Sequence, residues 1–203
     1  MGACTCWPDP LDGPYFEETI YVSPSHEPLR VQQAIIQAAQ LAVTALGLHC
    51  GPVHAEMRVD GDRVWMLEVA PRPIGGLCSK ALVFENGAPL EELIVRHALG
   101  QDVSCVRRRD GAAGVMMIPV PRAGIYQGVR GVDRAEVLAD EVIITAKQGQ
   151  PVLPLPEGNT YLGFLFAYGE TASKVEERLR QAHKQLEFEI SETLPVVRRF
   201  GGV

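Results

Sequence analysis

The chain has 203 residues, 46% of them apolar and 22% charged, with a net charge of −6. That balance is globular and excludes a disordered chain, a collagen or a coiled-coil rod, and the length allows one large domain or two small ones. The acidic balance argues against nucleic-acid or anionic-membrane binding, which needs a basic face. No apolar run reaches the ~18 residues of a membrane helix, and positions 1–25 lack the basic start and apolar core of a signal peptide. A cytoplasmic protein is expected, with Cys4, Cys6, Cys50, Cys78 and Cys105 as free thiols. No C-x-x-C spacing marks a zinc site, and the opening Met1-Gly2-Ala3-Cys4-Thr5-Cys6 departs from the acylation rule at Cys6.

Prolines 8, 10 and 14 make the first fourteen residues an extended lead-in. Tyr15 to Val22 is rich in β-formers and reads as a strand, followed by a loop from Ser23 to Pro28. From Leu29 to Leu46 apolar residues recur at helical spacing (Val31, Ala34, Ile35, Ala38, Ala39, Ala42), with Gly47 as the stop. That stripe is expected to be core. Val53 to Val59 and Arg63 to Ala70 form a hairpin around Asp60-Gly61-Asp62. After the Pro71–Gly76 loop, Pro89 to Leu99 reads as a short amphipathic helix closed by Gly100. A basic link, Arg107-Arg108-Arg109, precedes a change of texture. Short strands are expected at Gly114 to Val120, Gly124 to Val132, Val142 to Ala146 and Tyr161 to Tyr168. A helix from Thr171 to Phe188 starts on a cap at Ser173 or Thr171. The fold class is α+β, divided into residues 1–108 and 109–203.

The hairpin carries the chemistry. Side chains alternate along a strand, so His54, Glu56 and Arg58 share one face, with Val64, Met66, Glu68 and Ala70 of the second strand. Trp65, Leu67 and Val69 are expected on the apolar face. If Val59 pairs with Arg63, Glu68 lies opposite His54, to which it would bond. Glu56 and Glu68 are then diagonal neighbours with Cβ atoms ~7 Å apart. Two carboxylates so placed suit a divalent ion such as Mg²⁺ or Mn²⁺. Arg72 and the backbone amides of Gly75 and Gly76 suit an anionic reaction centre. A solvated sheet face with ordinary surface charges and a Gly-Gly turn is the alternative reading of the same residues. Lys80, Arg96, His97 and His183 read as surface residues.

Gly51-Pro52-Val53-His54-Ala55-Glu56-Met57-Arg58, followed by Leu67-Glu68-Val69-Ala70-Pro71-Arg72-Pro73-Ile74-Gly75-Gly76, resembles the end of the ATP-grasp fold. Upstream, Asp9 to Thr19 is similar to the strand that enters that region, and Gly114 to Phe188 is similar to the small C-terminal domain of the L-amino-acid ligase branch. The resemblance implies an ATP-grasp C-terminal subdomain (an antiparallel sheet with helices) followed by a small α+β domain with antiparallel strands. It implies an ATP-dependent carboxylate–amine ligase working through an acyl-phosphate on amino-acid or dipeptide-type substrates. Glu56 and Glu68 match the two magnesium-binding glutamates of the family, the second bridging two ions. Ala70 stands where many ATP-grasp enzymes carry an asparagine ligand. Arg72 matches the arginine on the transferred phosphoryl group. Gly75 and Gly76 match the loop beside the substrate carboxylate, and Glu18 matches an acidic residue near the amino-substrate pocket.

No G-x-x-x-x-G-K-[ST] or other Gly-rich phosphate loop precedes the strand at Tyr15. The expectation is therefore the C-terminal half of such a ligase, as a truncated product, a separated subunit or a fragment, inactive alone because the nucleotide clamp is missing. ATP would bind only when the missing half is supplied. A homodimer or a partner chain would cover the apolar surface left behind. The alternative is a non-catalytic binding or regulatory module that pairs with another chain. A dinuclear-metal hydrolase ranks last, since it needs more ligands on the hairpin face than His54 adds.

Overall fold

A computed structural model describes residues 19–192, together with the backbone of Thr5–Cys6. In chain order the strands and helices are β1 (Thr5–Cys6), β2 (Ile20–Ser23), α1 (Leu29–Ala45), β3 (His54–Asp60), β4 (Arg63–Ala70), a 3-10 turn (Cys78–Ala81) and α2 (Leu90–Ala98). They continue as β5 (Ala112–Ile118), β6 (Gly124–Arg130), α3 (Val132–Leu138), β7 (Glu141–Ile144), β8 (Pro151–Val152), β9 (Gly163–Gly169), α4 (Ala172–His183) and β10 (Glu187–Ser191). The sheets are antiparallel: a five-stranded one in the order β1-β2-β5-β9-β7, a three-stranded one, β10-β6-β8, and the hairpin β3-β4. The class is α+β, as expected. Positions 15–18, including Glu18, lie outside the described residues.

β5 organises the molecule. All seven of its residues are buried, because both faces of the sheet are covered. Met116 and Ile118 face one way, into a core shared with Leu165, Val175, Leu179 and Ile190. Val115 and Met117 face the other, into a cluster with Cys78, Ala81, Phe164 and Phe166. Period-two alternation thus feeds two cores at once. Gly114 is required where α4 crosses: a Cβ there would lie 2.7 Å from Val175 Cγ1 and 3.1 Å from the Tyr21 carbonyl oxygen. β2 pairs with β5 across the basic link, Ile20 opposite Met116.

The second cluster reaches back to the hairpin. Ile74 and Leu77 pack against it, and Gly76 lies so close to the Phe164 ring that a Cβ would sit 3.4 Å from Cζ. The loop after β4 is therefore clamped onto the five-stranded sheet. Lys80 adds a 2.6 Å ion pair to Glu141 on β7 and stands 5.0 Å from the Phe166 ring centre.

Two expectations change. The helix expected from Thr171 to Phe188 ends at His183, and Glu187–Ser191 forms β10 against β6. The Leu186 and Ile190 side chains belong to the core, so tertiary pairing overrides helix propensity there. Of the two cap candidates Thr171 is the one used, its hydroxyl accepting from the Lys174 N–H at 3.3 Å. The apolar stripe of α1 is not all core: only Val31 is buried, while Leu46 at its end is 59% exposed. A two-stranded hairpin is too narrow to cover a helix of 17 residues. No helix among the described residues is long and apolar enough to cross a membrane.

Candidate functional site

Strand register builds the site. Asp60 pairs with Arg63, and Val59 with Val64, around a two-residue turn in which Gly61 takes φ +60°. The expected pairing of Val59 with Arg63 is displaced by one residue. A second irregularity lies between Glu56 and Met57: Met57 pairs with Met66, but Glu56 pairs with Glu68, so Leu67 is the extra residue of a bulge. One inserted residue reverses the alternation beyond it. Trp65 and Leu67, expected on the apolar face, are therefore 56% and 57% exposed. Val64 and Met66, expected beside the carboxylates, are half-buried instead.

The same bulge brings the two glutamates directly opposite each other rather than diagonal, which for paired residues puts Cβ atoms ~4.5–5.5 Å apart. His54 bonds Glu56, not Glu68: its Nε2 lies 3.1 Å from Glu56 Oε1, and its cross-strand partner is Ala70. Glu68 faces solvent, with the Arg72 guanidinium 3.9 Å from its Oε1. Arg72 is also tied by its own loop, donating from Nη1 to the Pro73 carbonyl at 3.1 Å. One half-buried carboxylate, one open carboxylate and a guanidinium thus lie on one edge of the hairpin. Gly75 and Gly76 follow in the clamped loop, Gly76 at φ +60°.

Two hard carboxylates side by side fit an ion such as Mg²⁺, which takes one or two protein carboxylates and completes its shell with water and phosphate. Among the described residues no group of three or more His, Cys, Asp or Glu forms a metal cluster, so the pair would depend on those further oxygens.

Behind the hairpin, α1 and β3 enclose a cavity of about 640 Å³. Ile35, Ala39 and Val43 of α1 line it, and His54 and Glu56 contribute to its wall. The wall also carries Cys50 and His97, whose Sγ and Nε2 lie 3.5 Å apart. The sequence left both as unremarkable, since nothing local links positions 47 residues apart.

Two family models match the chain: ATP-grasp domain over residues 6–81, and L-amino acid ligase C-terminal domain 2 over residues 116–191. The chain corresponds to the C-terminal half of an ATP-grasp protein resembling the L-amino acid ligases. Among solved structures, the L-amino acid ligase from Bacillus licheniformis is similar at 26% identity and a TM-score of 0.75, over 89% of this chain and 46% of that one. Phosphoribosylglycinamide synthetase from Anaerococcus prevotii shares the fold at 15% identity and a TM-score of 0.69, over 85% of this chain and 45% of that one. Protein y4rH of Sinorhizobium fredii (strain NBRC 101917 / NGR234) is 22% identical over 158 residues, which are 77% of this chain and 33% of that protein. The chain thus spans less than half the length of these relatives. The matches show an L-amino acid ligase-like fold with ATP-grasp elements, and ATP-grasp enzymes in general use ATP and Mg²⁺.

Proposed function

We propose that this chain supplies the metal-binding and phosphoryl-contacting part of an ATP-dependent carboxylate–amine ligase. The observation that carries the reading is the direct pairing of Glu56 with Glu68, beside Arg72, in the segment matched as ATP-grasp. In the proposed reaction a substrate carboxylate attacks the γ-phosphorus of ATP, ADP leaves, and an acyl-phosphate forms. An amine then attacks the acyl carbon and phosphate leaves.

Glu56 and Glu68 would hold Mg²⁺ or Mn²⁺, which when bound neutralises charge on the nucleotide's phosphate oxygens. Arg72 would exchange part of its contact with Glu68 for the transferring phosphoryl group, where a planar guanidinium donates two parallel hydrogen bonds. His54 keeps Glu56 oriented. The clamped loop holds the Gly75 and Gly76 amides beside the anionic substrate. Positioning and charge neutralisation, rather than covalent catalysis, would supply the rate. The substrates would be amino acids or small peptides, by likeness to the L-amino acid ligases.

The nucleotide clamp would come from residues outside this segment, which corresponds to 46% of the Bacillus licheniformis ligase. The exposed Leu41 of α1 and Leu46 just after it, and the outer edge of β3, unpaired among the described residues, support a partner surface there. The test supplies ATP, Mg²⁺ and a panel of L-amino acids to the chain alone, and to the chain with the nucleotide-binding half of the Bacillus licheniformis ligase. Phosphate release only in the second mixture, abolished by Glu68→Gln, is expected. Release by the chain alone that persists in Glu68→Gln would overturn the proposal.

A further inference from the structure

The three cysteines with described side chains are chemically unequal. Cys78 is buried in the cluster around Phe164 and Phe166, and burial pushes its thiol up to about 11, so it is inert at neutral pH. Cys105 is exposed in the link between α2 and β5. Cys50 is exposed too, but its Sγ lies 3.5 Å from His97 Nε2.

His97, beside Cys50, stands in the last turn of α2. Arg96 beside it is held by Glu92 at 2.5 Å. From the cavity wall His49, His54 and Glu56 face the same space, and His54 is engaged with Glu56. Cys50 is exposed and also lines the cavity.

We propose that Cys50 and His97 form a thiol modification site for low-molecular-weight disulfides and other small electrophiles. His97 Nε2 accepts the Cys50 proton, and the thiolate attacks one sulfur of a disulfide such as oxidised glutathione. The disulfide bond breaks as the new S–S bond forms. Cys50 is oxidised to a mixed disulfide, and one glutathione is released as thiolate and takes the proton back from the imidazolium. The adduct stands on the wall that Glu56 shares, so the thiol state would control access to that cavity. The inference rests on the Cys50–His97 geometry and stands independently of the ligase reading.

The test incubates the full chain with oxidised glutathione at about pH 7.5 and follows each cysteine by peptide-resolved mass spectrometry. Cys50 is expected to react about tenfold faster than Cys105, with Cys78 untouched. His97→Gln should slow Cys50 about tenfold and leave Cys105 unchanged. Equal rates at Cys50 and Cys105 would overturn the proposal, as would an unchanged Cys50 rate in His97→Gln while Cys78 stays protected. Should the substitution expose Cys78, His97→Asn is read in its place: a slowed Cys50 beside an unchanged Cys105 supports the pair, and an unchanged Cys50 overturns it.

Discussion

Glu68→Gln separates a binding site from a decorated sheet face. Glu56 and Glu68 pair directly across β3 and β4, and like charges in that relation repel. Two unit charges about 6 Å apart in a water-like dielectric repel by about 0.7 kcal/mol. Arg72, 3.9 Å from Glu68, attracts it by about 1.1 kcal/mol on the same footing. The two terms nearly cancel, so neutralising Glu68 shifts stability by no more than about 0.5 kcal/mol. Thermal unfolding in a chelator should therefore place Glu68→Gln within about 2 °C of wild type. Manganese separates the two. At a free concentration about 100 times its dissociation constant it would stabilise wild type by about 2.7 kcal/mol, or about 5–10 °C, and leave the variant where it was. A variant that rises with manganese like wild type would refute the reasoning.

Leu179→Ala removes a fully buried side chain from the core between α4 and the five-stranded sheet; urea unfolding should show a loss of about 2–5 kcal/mol. Thr171→Ala removes the α4 cap and should cost about 1 kcal/mol by the same assay, with Thr171→Ser restoring most of it. Burial, and then Arg180, hold the His183 imidazole below its ordinary value. The unfolded chain therefore binds the proton first: the contribution is present above the unfolded value near 6.5 and is lost as pH falls through the folded one. His183→Gln should flatten the fall in stability that sets in as pH drops below about 6.5 in denaturant titrations.

What could be read from the sequence followed from periodicity and turn chemistry. Asp60-Gly61-Asp62 marked the hairpin, Gly47 closed α1, and the alternating strands from Gly114 onward announced the sheet that β5 and β9 build. The bulge at Leu67 was not legible. Any residue can be the extra one, and its placement depends on how β4 meets α1 and the clamped loop. Yet that single residue decides which side chains accompany Glu56. β10 was hidden because Leu186 to Ser191 continues the helical pattern of α4, and pairing with β6 wins only in three dimensions. The partly exposed face of α1 was misread because an apolar stripe says what a helix seeks to bury, not whether the partner is wide enough.

The most direct test of the account is a calorimetric titration of Mn²⁺ into the chain and into the Glu56→Gln/Glu68→Gln variant. The paired carboxylates predict a saturable binding heat in the first that is absent from the second. Equal heats in both, or no heat in the first, would contradict the proposed site.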